Sequence, residues 1–166
     1  MSVSILVAYA TKYGSTQEVA NAVAMTLREH GQEVDVQPAR AVRTLTGNSA
    51  VVLGAPLYMF RWHKDALHFL SRHRKALMER PVGIFALGPF HDEEKERQEA
   101  RAQLDKELAK FPWLSPVAVE IFGGKYDPTK LRFPLNLFPA LKQMAASDIR
   151  DWTAIRRWAS DLIAKL

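Results

Sequence analysis

Six consecutive residues concentrate the groups that hold a phosphate monoester. Thr11, Lys12, Tyr13, Gly14, Ser15 and Thr16 bring three aliphatic hydroxyls, one glycine for close backbone approach and several amides into one short stretch. They lie between an apolar run and a segment of helical period, so the amides are those of a helix N-terminus, the positive end of the helix dipole. The same hydroxyls would also cap a helix that binds nothing, and on this stretch alone both readings stand. The GxxxxGK[ST] spacing of nucleoside triphosphatases is absent, and so is the GxGxxG fingerprint of dinucleotide sites.

Two further stretches are rich in aromatic residues. One is Pro56, Leu57, Tyr58, Met59, Phe60, Arg61 and Trp62; the other is Leu87, Gly88, Pro89, Phe90 and His91. Tyr58, Phe60, Trp62 and Phe90 could flank a flat ring, or could anchor helices by packing. Other chemistry finds little support. The chain has no cysteine, which removes disulfides, thiolate nucleophiles and cysteine-ligated metal. His63, His68 and His73 recur every five residues, a spacing that turns each by roughly 140° on a helix, so they read as solvated or boundary side chains and no metal site is expected. No GxSxG elbow is present. The basic stretch 61–80 carries no nucleic-acid motif, and no nucleic-acid partner is expected.

The elements that position these stretches alternate. Residues 3–8 form a continuous apolar run, as in a strand buried on both faces. Val19, Ala20, Val23, Ala24 and Leu27 then recur at helical spacing, with Gly31 as the predicted C-terminal cap. Residues 33–37 and 50–54 read as strands, 63–78 as one helix, 82–87 as a fourth strand, 92–110 as an exposed charged helix and 116–122 as a fifth strand. A last helix runs to about residue 164 from a cap at Asp148 or Asp151, with Trp152, Ile155, Trp158, Ala159 and Leu162 on its buried face. Five strands alternating with helices predict one α/β domain over 1–166 with an open, doubly wound parallel sheet. In that architecture the phosphate loop and both aromatic stretches leave the carboxyl edge of the sheet, where ligands bind. Residues 123–147 break the alternation. The insert holds Pro128, Pro134 and Pro139, and its Tyr126, Leu131, Phe133, Leu135, Leu137, Phe138 and Leu141 predict a packed flap with a short helix near 138–145.

Charge and targeting complete the reading. Lys and Arg number 23 against 18 Asp and Glu, a net +5. Residues 92–110 hold seven acids and five bases, leaving +7 on the remainder, much of it in 61–80 and around the insert. That predicts a basic rim beside the aromatic stretches, suited to carboxylated ligands or an anionic membrane surface. No apolar run reaches the roughly 18 to 20 residues of a membrane span, and no signal peptide is evident, so a cytoplasmic protein with peripheral membrane contact is expected.

With Thr11 to Thr16, Gly54 to Tyr58 and Leu87 to Phe90 in these places, the sequence resembles the flavodoxin superfamily over nearly its whole length. The resemblance implies the strand order 2-1-3-4-5 and noncovalent FMN. It places the phosphate at residues 11–16 and the flavin ring against Pro56, Leu57, Tyr58, Met59 and Phe60 on one side and Leu87, Gly88, Pro89 and Phe90 on the other. Within the superfamily the chain looks most like the menaquinone-dependent protoporphyrinogen dehydrogenases of haem biosynthesis. That likeness rests on the aromatic and basic stretch 54–63, the insert after strand five and the pair Asp151-Trp152. It implies a reduced tetrapyrrole substrate and a quinone acceptor; by charge alone, Lys12, Arg61 and His63 are candidates to meet the substrate's carboxylates as cations. The alternative is an electron carrier that docks to a redox protein.

Overall fold

The structure, a computed structural model, describes residues 4–58, 61–130, 135–143 and 146–166. Val3, Met59, Phe60, Leu131, Phe133, Pro134 and Ala145, which entered the sequence reading, lie outside them.

The core strand is β1 (Ser4–Tyr9), buried on both sides as its unbroken apolar run requires. It pairs in parallel with β2 (Val34–Pro38) on one side and β3 (Asn48–Tyr58) on the other, so that Val7 stands opposite both Val36 and Val52. A two-residue strand, β4 (Arg61–Trp62), turns back antiparallel on the end of β3. Beyond β3 come β5 (Val82–Leu87) and β6 (Ala118–Phe122), both parallel. The main path is thus β2-β1-β3-β5-β6. It is the expected order 2-1-3-4-5, with β4 appended.

Alternate residues of each strand feed two cores. Ile5, Val7, Val52 and Phe85 face α1 (Ser15–Glu29) and α6 (Trp152–Leu162), while Leu6, Ala8, Leu53 and Ile84 face the other layer. That layer holds α2 (Lys64–Arg72), α3 (Arg74–Leu77) and α4 (Glu94–Leu108). α1 ends as its sequence indicates: Gly31 takes φ +86°, and its amide donates to the Arg28 carbonyl at 2.9 Å. Asp151 caps α6, its carboxylate accepting from the Ala154 amide at 3.0 Å. Of the face expected to be buried, Ile155, Ala159 and Leu162 are, while Trp152 and Trp158 are half-covered.

Four expectations need correction. β3 does not stop at Gly54 but continues through Pro56 to Tyr58, because Ala55 and Pro56 still pair with β5, Pro56 lying opposite Leu87, and Leu57 and Tyr58 pair with β4. The single helix over 63–78 is two helices divided at His73, which leaves helical geometry with ψ 21°. His73 itself is not solvated: its ring is 7% exposed and packs 4.7 Å from that of Phe69. Among its described residues the insert is packed at its base, where β7 (Lys125–Tyr126) pairs with β8 (Ser147–Asp148) and Tyr126 is buried. Leu137 and Phe138 are 64% and 52% exposed, and the short helix, α5, spans Pro139–Gln143. Gly123 makes the base possible, since a Cβ there would meet the Ile149 carbonyl oxygen at 2.4 Å.

Candidate functional site

At the carboxyl edge of the sheet, β1 runs into the hydroxyl-rich loop. Gly14 takes φ +95° and serves as the N-cap of α1 without a side-chain cap. The loop is shaped from within: the Gly14 amide donates to Thr11 Oγ1 at 2.8 Å. Thr11 therefore folds the loop with its oxygen and keeps its O–H proton to donate. Thr16 is fully buried in the first turn of α1, and its hydroxyl has no hydrogen-bond partner among the described residues. The first-turn amides have no intrahelical acceptor, as at any helix start. A buried hydroxyl without a partner beside free amides at a positive helix end has the composition of an anion cradle.

The other predicted stretches converge on this cradle. One cleft is lined by Ser15 together with Pro56, Leu57 and Tyr58 from β3, Leu87 and Phe90 from the end of β5, and Gly124 and Lys125 from the base of the insert. A neighbouring cleft is lined by Tyr13, Ser15, Glu18, Tyr58, Lys125, Tyr126, Asp127 and Lys130. Tyr13 and Tyr58 meet edge to face at 6.0 Å, and Phe90 and Tyr126 stand 5.5 Å apart. Lys12 Nζ lies over both tyrosine rings, at 5.7 and 5.4 Å. Burial first, then the neighbouring phenols of Tyr13 and Tyr126, pushes the Tyr58 hydroxyl far above the tyrosine range, so it stays a neutral donor. Gly88 and Pro89 face a separate, more open groove with Leu57, Phe90 and α4. Met59 and Phe60 fall outside the described residues.

Hydrogen bonds between loops fix the edge. The Gly88 amide donates to the Phe122 carbonyl at 3.0 Å and the Gly124 amide to Pro89 at 2.7 Å, locking the β5 and β6 exits together. Trp62 is 1% exposed and its Nε1 donates to the Ala55 carbonyl at 2.9 Å, so it is a packing anchor rather than a ring-facing residue.

Two acids of α4, a helix expected to be simply solvated, reach inward to hold these loops. Glu96 Oε1 accepts from the Phe90 and His91 amides at 2.8 and 3.3 Å, and its other oxygen meets His91 Nδ1 at 3.1 Å. Glu107, with a side chain 4% exposed, accepts from the Trp62 amide at 3.3 Å and pairs with Lys110 at 2.7 Å and Arg61 at 3.3 Å. Burial acts to raise the Glu107 carboxyl, but hydrogen bonds from Lys110 and the Trp62 amide outweigh it and hold it below the usual range. Glu107 shares one helix face with Ala100 and Leu104, which was the available signal that it points inward.

Lys12, Arg61 and His63 line one basic groove next to Tyr58, with Thr11, Trp62, Lys64 and Leu67. Arg61 is 65% exposed and commits its Nε to Glu107. His63 differs from the expected cation. Its Nδ1 accepts from the Asp65 amide at 3.0 Å and caps α2, while burial first, then the charges of Lys64, Lys12 and Arg40, lowers its pKa against the opposing pull of Asp65. It is neutral at pH 7 and can offer only an Nε2–H. Among the described residues no three His, Asp or Glu side chains gather as a metal site.

The sheet order and the site at its carboxyl edge define a doubly wound protein of flavodoxin type. Residues 6–135 match the Flavodoxin_5 family, described as a flavodoxin domain, and the chain belongs to that family. Flavodoxin 2 from Bacillus cereus superposes with TM-score 0.63 at 19% identity, over 99% of this chain and 100% of that one. A cysteine-to-alanine mutant of flavodoxin from Pseudomonas aeruginosa gives 0.63 at 15% identity over 99% of each. An archaeal flavodoxin gives 0.62 at 12% over 98% of each. No match was found among curated proteins. FMN is the cofactor of this family and of this chain, and the unpartnered Thr16 hydroxyl beside the left-handed Gly14 suits its phosphate. Flavodoxins pass electrons to redox partners. Among the described residues no helix is long and apolar enough to cross a membrane.

Proposed function

We propose that the chain is an FMN-dependent oxidoreductase of the protoporphyrinogen dehydrogenase kind, which takes electrons from a reduced tetrapyrrole and delivers them to a quinone. In this reading Thr11, Ser15, Thr16 and the first-turn amides of α1 hold the phosphate. Pro56, Leu57 and Tyr58 face the ring from one side, with Leu87 and Phe90 on the other; Met59, Phe60, Gly88 and Pro89 belong to the same two stretches. When bound, the flavin supplies the redox chemistry. The residues around it bind, orient and exclude water: Tyr58 offers a neutral phenol, and Glu96 and Glu107 hold the two aromatic stretches in place.

The observation that carries the substrate class is the groove beside Tyr58, where Lys12, Arg61 and Lys64 surround an aromatic floor. Lys12 and Arg61 would meet carboxylates, and His63 would serve as a neutral donor. Each oxidation step removes two electrons and two protons from the substrate and converts one quinone to its quinol. The test is anaerobic turnover of protoporphyrinogen IX with menadione by the FMN-loaded protein. Turnover without a protein partner supports the reading. No turnover, together with rapid reduction by a flavodoxin reductase, would make the chain an electron carrier instead.

A further inference from the structure

Arg150 follows β8, at the point where the insert rejoins the domain, and its side chain reaches the N-terminal turn of α1. Its side chain is 4% exposed. It forks onto Asp148, with Nε to Oδ1 at 2.9 Å and Nη2 to Oδ2 at 2.8 Å. Its remaining nitrogen reaches the Glu18 carboxylate at 3.2 Å and the Ser15 carbonyl at 3.4 Å, and the guanidinium lies 4.8 Å over the Trp152 ring. Ser15 and Glu18 belong to the first turn of α1, the turn that carries the buried, unpartnered Thr16 hydroxyl.

The charges explain why a cation is needed there. Glu18 favours the helix dipole when the anion cradle is empty, but it competes with any phosphate for the same positive end. Asp148 adds a second carboxylate. Without Arg150 two negative charges would stand beside the proposed anion cradle; with it the guanidinium is shared between Asp148 and Glu18 and the cluster keeps one net negative charge instead of two, as it also would if Arg150 and Glu18 were both neutral. The Ser15 carbonyl is held by the same group, which leaves the amide side of the turn to the ligand.

We propose that Arg150 is a positioning residue for the FMN phosphate: by binding Glu18 and the Ser15 carbonyl from the base of the insert, it keeps the first turn of α1 selective for the phosphate group. The inference rests on the reading that residues 11–16 take that phosphate. It makes the insert a contributor to cofactor affinity as well as to the surface beside the flavin.

Titration of the apoprotein with FMN and with riboflavin, which lacks the phosphate, separates the possibilities. Arg150→Met is expected to weaken FMN binding about tenfold while riboflavin binding stays within about twofold. In that background Glu18→Gln is expected to restore most of the loss, because the carboxylate needing neutralisation is gone. Equal weakening of both flavins, or no rescue by Glu18→Gln, would mean that Arg150 is only a structural tie. If Arg150→Met does not fold, Glu18→Gln alone decides: a change in the FMN-to-riboflavin preference within about threefold supports the proposal, and any larger gain shows that Arg150 does not offset Glu18 and overturns it. A wild-type protein that binds the two flavins equally would sink the phosphate reading itself, a result visible before any variant is made.

Discussion

Thr16 carries a hydroxyl that the fold buries without a partner among the described residues, and the proposed reading gives it to the FMN phosphate. Removing it should therefore cost little stability and much phosphate affinity, the reverse of an ordinary buried polar group. Thr16→Ala is expected to weaken FMN binding about tenfold and leave riboflavin within about twofold, as read by fluorescence titration of the apoprotein. His73 makes the opposite case. Its Nε2 is buried without a partner among the described residues, so a proton there would be an unpaired charge. Burial, with the Arg72 charge, lowers its pKa below 6.5 against a hydrogen bond with the Val42 backbone. Its contribution to stability is thus complete above pH 6.5 and is lost as pH falls through the folded pKa. The urea midpoint should fall between about pH 7.5 and about pH 5, and less steeply in His73→Leu. The loop at residues 11–16 and the helix start behind it were legible because their cues are local: hydroxyls, a glycine and a helical period in a short stretch. His73 was not, since its burial depends on a break between α2 and α3 that helical period alone does not show.

At the scale of elements, period and punctuation located the strands and the main helices because burial on both faces of a parallel sheet leaves little ambiguity. What they missed was pairing beyond the apolar run. β3 continues through Pro56 because the ladder with β5 does not need every amide, and β4 returns only because Trp62 finds a buried slot. α4 was legible as a charged helix, but not the inward turn of Glu96 and Glu107, which depends on loops distant in sequence. Glu107→Ala would leave the buried Trp62 amide without its acceptor and release two exposed cations to water, and it should lower stability by about 2 kcal/mol. Equilibrium unfolding of the two proteins measures it. The conservative Glu107→Gln should recover part of that loss through the Trp62 amide alone.

Across the whole molecule the net charge of +5 is unevenly placed, since α4 and its flanks carry an acidic excess and the groove by Tyr58 a basic one. Such a distribution orients the protein in the field of an anionic partner or surface before contact. Cosedimentation with vesicles rich in anionic phospholipid is expected at low salt and should be lost by roughly 0.5 M salt, where the Debye length is only a few ångströms. Reversal of Lys12 and Lys64 to glutamate should abolish it at every salt concentration if the basic groove faces the membrane. The sequence pointed to this surplus as a rim around the site. Part of it is instead consumed in the framework: Arg80 donates to the Leu45 and Asn48 carbonyls at 2.6 and 2.9 Å, and Arg150 is buried.

The insert leaves and re-enters the domain at nearly one point. β7 and β8 lie side by side, and the Ile149 amide donates to the Gly124 carbonyl at 3.1 Å where the two ends cross. Closing a long loop at such a gate costs little more than closing a short one. The chain between β7 and β8 can therefore change in length and composition at little cost to the sheet and the Arg150 latch, and a shared framework can be fitted to different substrates or partners by changing what joins these two strands.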